Sequence, residues 1–341
     1  MTLATARDTT DTTPVRLLDG PEPPTREPHY GGHRLDPRYY EPARVPPEVA
    51  RHAGPLDTLP TGSPGKVGLL DLEFALTGRA TELVGHYQKS PLQIMHPHYY
   101  DPARPDMPYT YLLSTGAGVR QGDRLRTDLT FGDGTSAHVT AAYTKVLPME
   151  QDYAVAQTNI DLGADAYVEY LPDPVIAFAE ARFYQQTRVS VPSSATLVLG
   201  ETFVAGRLAH GEHHEHSALA SDFDVCRPDG SVVALDRVRL TPIAGATGGL
   251  AVLDDHDVLS MLYVLTERAG AAEIGDLLHR VLSPFAADGV VLGVSTLPWD
   301  AGVWVRLLGD DTQTMVQALT TAWQAVRALL TGSSAPRIRK N

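Results

Sequence analysis

The 341-residue chain has one cysteine, Cys226. No disulfide framework and no cysteine-rich zinc site can be built from it, and a reducing, cytoplasmic setting is the simple reading. Basic side chains are also scarce: 28 Lys and Arg stand against 41 Asp and Glu, a formal charge of -13. Phosphate backbones and anionic lipid surfaces need clustered cations, so no nucleic acid and no membrane partner is expected. No apolar run is long enough to span a bilayer, and the acid-containing N-terminus lacks the apolar stretch of a secretory signal. A nucleophile elbow, a Cys–His pair, a Walker loop and an HExxH helix are all missing, which counts against an enzyme.

What is present is unevenly spread. Twelve of the 26 prolines precede Lys66, in a stretch without apolar periodicity, so residues 1–62 read as an extended, partly disordered arm. Within it Tyr39-Tyr40-Glu41-Pro42-Ala43-Arg44 nearly repeats Tyr99-Tyr100-Asp101-Pro102-Ala103-Arg104. Such an echo is either chance in a biased composition or a sign that the arm occupies a surface that also handles the second copy. Residues 63–253 read as a β-rich body. Alternating segments such as Val67–Phe74, Leu125–Phe131, Phe183–Val191 and Val232–Leu240 are separated by Gly132-Asp133-Gly134, Pro172-Asp173-Pro174 and Pro228-Asp229-Gly230 turns. Residues 254–333 change period. A strand, a helix from Ala271, a hairpin around Trp299-Asp300-Ala301-Gly302 and a helix capped by Asp310 or Asp311 predict a small β-α-β-β-α unit packed on the body. The last helix is expected to pack on its own sheet, though a partner is a second option for its apolar stripe. A basic tail, 334–341, follows.

Three places carry candidate chemistry. His210, His213, His214 and His216, with Glu212 and Glu215, crowd into seven residues. Imidazole with carboxylate suits nickel, zinc or copper, and a short tract of this kind is expected to hold metal weakly at the surface. Gly116-Ala117-Gly118-Val119-Arg120-Gln121-Gly122-Asp123 imitates a dinucleotide loop, but the strand after it excludes that reading and leaves a turn braced by Asp123. Glu169 and Asp173 bracket a Pro-stiffened turn. They would serve as paired acid and base, hold a hydrated cation, or be neutralised by Lys145, Arg207 or Arg237.

Read in order, several tracts resemble the UreD (UreH) family of urease accessory proteins. They are GLLDLEF, SPLQIMHP, STGAGVRQGDRLRTDLTFGDG, AYTKV, AYVEYLPDPVIAFAEARF, GRLAHGE and GVWVRLLGD, with Trp323 and Arg327 in the closing helix. The resemblance runs from about Val67 to Lys340. It implies a mainly β fold, a stacked β-sheet or β-helical body with two C-terminal helices. It also implies a non-enzymatic chaperone in the cytoplasm, which joins UreF and the GTPase UreG on apo-urease and passes Ni(II) to the dinuclear site. A homodimer within that complex is compatible with it, and no tightly bound cofactor is implied, only transient Ni(II). By motif, Gly118, Gly122, Lys145, Gly206, Arg207 and Gly211 match structural positions of the family. The histidines after Glu212, the Pro-rich arm and Ala117, which replaces a usual glycine, depart from it.

A conduit must admit the ion and let it go, which spaced carboxylates and waters allow and rings of imidazole do not. The acids expected to supply it are Asp123, Glu169, Asp173, Glu201 and Glu212. Alanine at Asp123 or Glu212 is then expected to reduce urease activation more than complex formation, and equal loss would mark them as structural. Two rivals remain at this stage: a metal-dependent hydrolase using Glu169, Asp173 and the histidines, and a nickel-storage module built on His210–His216.

Overall fold

The computed structural model describes residues 34, 36–55, 66–242 and 253–337. Residues 1–33, 35 and 56–62 of the expected arm, 63–65 and 243–252 of the expected body, and 338–341 of the basic tail lie outside the described residues. In chain order the elements are α1 (Pro47–Ala50), β1 (Val67–Thr77), β2 (Ala80–Lys89), β3 (Leu92–Ile94), β4 (Tyr109–Ser114), β5 (Arg124–Phe131), β6 (Ser136–Ala141), β7 (Thr144–Val146), β8 (Ala154–Leu162), β9 (Tyr167–Tyr170), β10 (Val175–Ala177), β11 (Arg182–Ser190), β12 (Thr196–Val204), β13 (Ala218–Cys226), β14 (Val232–Leu240), β15 (Val258–Leu265), α2 (Ala271–Leu282), β16 (Val291–Thr296), β17 (Gly302–Gly309) and α3 (Thr312–Thr331).

The fold is mainly β, in two sheets. A seven-stranded sheet runs β14-β13-β11-β8-β5-β1-β2, and a ten-stranded sheet runs β16-β17-β15-β12-β9-β6-β4-β3, with β10 joining β12 to β7. Between β5 and β13 the chain alternates sheets and advances one strand each time. β5, β8, β11 and β13 are therefore parallel neighbours in one sheet, and β6, β9 and β12 in the other. The turns at each sheet change stack as well. The Ala164 N–H donates to Asp133 Oδ1 at 2.7 Å, and the Asp165 N–H donates to Ser194 Oγ at 3.0 Å. Gly163 is needed there, since a Cβ would meet the Asp133 backbone nitrogen at 2.5 Å.

Period-two alternation decides what each face buries. β5 alternates strictly between half-buried and buried residues. Its inward side chains join a core between the sheets that includes Phe74, Leu129, Phe131, Ile160, Val189, Leu199 and Phe203. A second core lies behind the ten-stranded sheet, where Val198, Leu262 and Val305 meet Ile274 and Leu278 of α2 and Met315, Ala322 and Val326 of α3. Of the two expected caps, Asp310 and Asp311, it is Asp311 that caps α3, accepting the Thr314 N–H at 2.7 Å. α3 thus spends its apolar stripe on its own sheet. β15 pairs with β12, so the C-terminal β-α-β-β-α unit extends the ten-stranded sheet instead of forming a separate one.

Residues 36–55 lie on the outer face of the seven-stranded sheet. Val49 is buried against Tyr153, Val155, Tyr184 and Ala220. The Tyr39 hydroxyl donates to Asp128 at 2.7 Å, and Gln157 Nε2 donates to the Tyr40 carbonyl at 2.8 Å. The echoing segment sits elsewhere: Asp101 pairs with Arg327 of α3, and the Tyr100 and Tyr109 rings lie 4.5 Å apart. No described helix is long and apolar enough to cross a membrane.

Candidate functional site

Successive levels of the inter-sheet core differ in polarity. One level across the seven-stranded sheet reads Leu72, Leu129, Ile160, Val189 and Val225, in register over β1, β5, β8, β11 and β13. Two residues back along each strand, on the same face, the level reads Leu70, Thr127, Thr158, Thr187 and Phe223. The next brings Gln185. Opposite this threonine ladder, β12 turns Glu201 inward between Leu199 and Phe203. Here the sheets enclose a cavity of about 230 Å3, lined by these threonines, Gln185, Glu201 and Tyr170. Gly116–Gly118, Tyr143, Lys145 and Asp173 border it at the loop end, where most residues are exposed. A space of that size and polarity holds several waters.

Glu201 is the unusual group. It is 3% exposed, and Oε1 accepts from Gln185 Nε2 at 2.9 Å and from Thr187 Oγ1 at 2.9 Å. Oε2 is buried without a hydrogen-bond partner. Burial pushes its pKa up to about 7, only partly opposed by the bonds from Thr187 and Gln185. No cation pairs with it among the described residues. A buried carboxylate with an idle oxygen in a hydroxyl-lined space is equipped to take a cation or a proton.

The other four proposed acids separate by location. Asp173 borders the cavity. Glu169 does not, because it faces the opposite side of β9 from Tyr170. There it accepts from His138 Nδ1 at 2.9 Å, from the Tyr167 hydroxyl at 2.7 Å and from Arg327 at 3.1 Å. Burial would raise its pKa, but the His138 bond and the Arg327 charge overcome that and lower it. Asp123 ties a turn, accepting the Lys66 N–H at 3.0 Å and the Arg120 N–H at 2.9 Å. Glu212 ties a loop, accepting the Ala179 N–H at 2.8 Å and Arg207 Nε at 2.8 Å. Burial again opposes ionisation, but the Arg207 hydrogen bond and charge together with the Ala179 and Arg207 backbone N–H bonds outweigh it and lower the pKa.

The matched structural residues act where backbones approach. A Cβ on Gly118 would lie 2.5 Å from the Lys145 carbonyl, and one on Gly206 would lie 2.2 Å from the Glu212 carbonyl. The first contact lets the Val119 N–H donate to Lys145 at 2.8 Å, so the glycine turn and the Thr-Lys step are one unit at the cavity border. Gly122 and Gly211 both hold φ +74. Arg207 N–H and guanidinium both reach Glu212, closing the loop that carries the histidines.

That loop does not present four equivalent ligands. His210 is exposed. His213 Nδ1 donates to Asp257 Oδ2 at 2.9 Å, and His214 Nε2 lies 3.2 Å from Asp257 Oδ1. His216 is 1% exposed, and burial lowers its pKa to about 4. Among the described residues no three His, Cys, Asp or Glu side chains already converge as a metal-binding group.

Two sets of residues escaped the sequence reading. Thr127, Thr158, Thr187 and Gln185 were signalled only by polar residues on the inward phase of otherwise alternating strands. The Asp101–Arg327–Glu169–His138 network joins residues too distant in sequence for any pattern to pair.

The sequence model of the UreD urease accessory protein family matches residues 66–340. Urease accessory protein UreD 2 of Streptomyces griseus is 48% identical over 287 residues, covering 83% of this chain and 97% of that one. UreD of Haloarcula marismortui is 37% identical over 280 residues, covering 82% of this chain and 92% of its own. UreD 2 of Brucella suis is 31% identical over 292 residues, covering 85% and 96% respectively.

Proposed function

The chain belongs to the UreD family of urease accessory proteins, non-catalytic scaffolds that take part in urease maturation, and from that premise we propose that its inter-sheet cavity is a passage for Ni(II) on the way to apo-urease. In this reading the chain assembles with UreF and with UreG, whose GTP hydrolysis drives the cycle, and the ion is cargo, not a resident cofactor. The observation that carries the passage is Glu201, which lines the cavity with the threonine ladder, is held there through Oε1 and keeps Oε2 without a hydrogen-bond partner.

The chemistry follows from the donors. Nickel entering beside Asp173 meets a carboxylate at the rim, then hydroxyls and an amide, then Glu201. Hydroxyl and amide oxygens are weak ligands that let the ion keep much of its water, and one carboxylate gives a shallow minimum. Binding displaces the proton that Glu201 holds near neutrality, so uptake is expected to be weaker at low pH. With its full cation and tyrosine complement, Glu169 serves instead to fasten α3 to the sheet. Partner surface is available on the C-terminal unit, where Trp299 is 67% and Val291 54% exposed.

Co-expression with the urease genes and the other accessory genes tests this. Glu201→Leu is expected to reduce urease activation at least tenfold while pull-down with urease stays at the wild-type level. Unimpaired activation would reject the passage, and full nickel loading of urease in cells lacking the chain would reject the scaffold role.

A further inference from the structure

Four imidazole nitrogens are stranded at one end of the molecule. Both ring nitrogens of His214 and both of His216 are buried and lack a hydrogen-bond partner. Buried polar atoms are nearly always paired, so two adjacent rings with none point to something that binds there. The backbone groups of Ala205 and Leu240 lie close enough to the His216 ring to oppose the lowering of its pKa, although neither ring nitrogen has a hydrogen-bond partner by distance and angle. His214 stands 3.2 Å from Asp257 Oδ1, again without the alignment of a hydrogen bond.

The surroundings hold these groups in place. His214 has φ +53, a left-handed conformation that a non-glycine residue adopts only under local constraint. Its N–H donates to the Ala205 carbonyl at 2.7 Å, while the Ala205 N–H donates to the Asp257 carbonyl at 2.8 Å. One residue thereby ties the histidine turn to the aspartate. His213 Nδ1 holds the second Asp257 oxygen at 2.9 Å and leaves Oδ1 directed to His214. The Arg207–Glu212 pair closes the loop from the other side.

We propose that His214, His216 and Asp257 form a binding site for a divalent cation of the zinc, nickel and copper class. Metal–imidazole bonds of about 2.1 Å place each ring centre about 3.2 Å from the ion, so two rings sharing one ion stand roughly 4.5–6.4 Å apart. The His214 and His216 centres are 6.3 Å apart. That spacing is the wide end of the range, close to a trans arrangement, so a tetrahedral ion requires the rings to turn toward each other, with Asp257 Oδ1 as third ligand and water completing the shell. Two imidazoles and a carboxylate suit this class of metal and disfavour magnesium and calcium. His210 takes no part. The site is separate from the inter-sheet cavity and does not depend on its being a passage.

The test titrates Zn2+, and separately Ni2+, into the metal-stripped full-length chain against a chromophoric chelator. One equivalent is expected to bind, with affinity falling at least tenfold in His214→Asn/His216→Gln and unchanged in His210→Gln. Binding that survives the double substitution, or that falls equally in His210→Gln, overturns the site in favour of a loose surface tract. If the double variant does not fold, Asp257→Asn decides: at least tenfold weaker binding supports the site, and unchanged binding overturns it. Zn2+ is also expected to raise the melting temperature of the wild-type chain; no shift at saturating Zn2+ counts against the site. A wild-type chain that binds zinc yet fails to assemble with urease would refute the scaffold reading while still supporting the site.

Discussion

Glu169 and Glu201 sit on adjacent strands of one sheet, both buried, and their surroundings make them opposites. Glu169 shares a register position with Val198 and faces the helices, where His138, Tyr167 and Arg327 meet it. Glu201 lies three residues beyond Val198, on the inner face, and meets only neutral donors on one oxygen. The first carboxylate is held ionised and the second is pushed toward protonation. A buried acid whose every oxygen is matched by a cation or hydroxyl is a fastening. One that keeps an oxygen idle beside a cavity is available for an ion.

Removing the cation from the helix side should produce the largest effect. Arg327→Met leaves Asp101 and Glu169 buried without their guanidinium, which is expected to cost about 3–5 kcal/mol. Urea denaturation would read this as a lower midpoint, and α3 should lose amide protection first. A loss below 1 kcal/mol would mean that the network is not a fastening.

Glu201 supplies the next contrast, through pH. Its folded pKa of about 7 exceeds its ordinary 4.5, so the folded chain holds the proton more tightly than the unfolded one. That contribution is complete below about pH 4.5 and is lost as pH rises through about 7. Glu201→Gln should therefore match wild type at pH 4.5 and be more stable at pH 8, by on the order of 3 kcal/mol. Equal stability at both pH values would show that Glu201 is not held protonated.

Asp123 and Glu212 should give the smallest effects and a different signature. Each satisfies backbone N–H groups, and alanine would leave those unpaired, at about 1–3 kcal/mol. Since both brace turns instead of facing the cavity, activation and complex formation should decline together. A selective loss of activation, the expectation from residue type alone, would restore them as ion ligands.

The same contrast explains what could be read without coordinates. Strands with an aliphatic inner face, such as Val67–Phe74 and Val232–Leu240, announce themselves by alternation, and so do α2, α3 and a cap at Asp310 or Asp311. β8 and β13 were missed. Their inward positions include Thr158 and Ser221, so the pattern fails where the core turns polar. β12 runs on to Val204 through Gly200-Glu201-Thr202, which breaks its apolar run after Leu199 and hides the second half of the strand. The violations of the pattern thus mark the cavity itself. β2 went unseen for another reason, being a largely exposed edge strand. Choosing between Glu169 and Glu201 required knowing strand phase and the distant partner Arg327, neither of which local sequence contains. The histidine tract was visible as a cluster, but the burial of His216 and the approach of His214 to Asp257 were not.

The most direct measurement is the nickel content of urease matured in the presence of Thr158→Phe, which fills the middle of the threonine ladder without touching a charged group. With recovery of the assembled complex equal to wild type, the passage predicts nickel per urease active site reduced at least fivefold. Full nickel occupancy with the complex intact would contradict it.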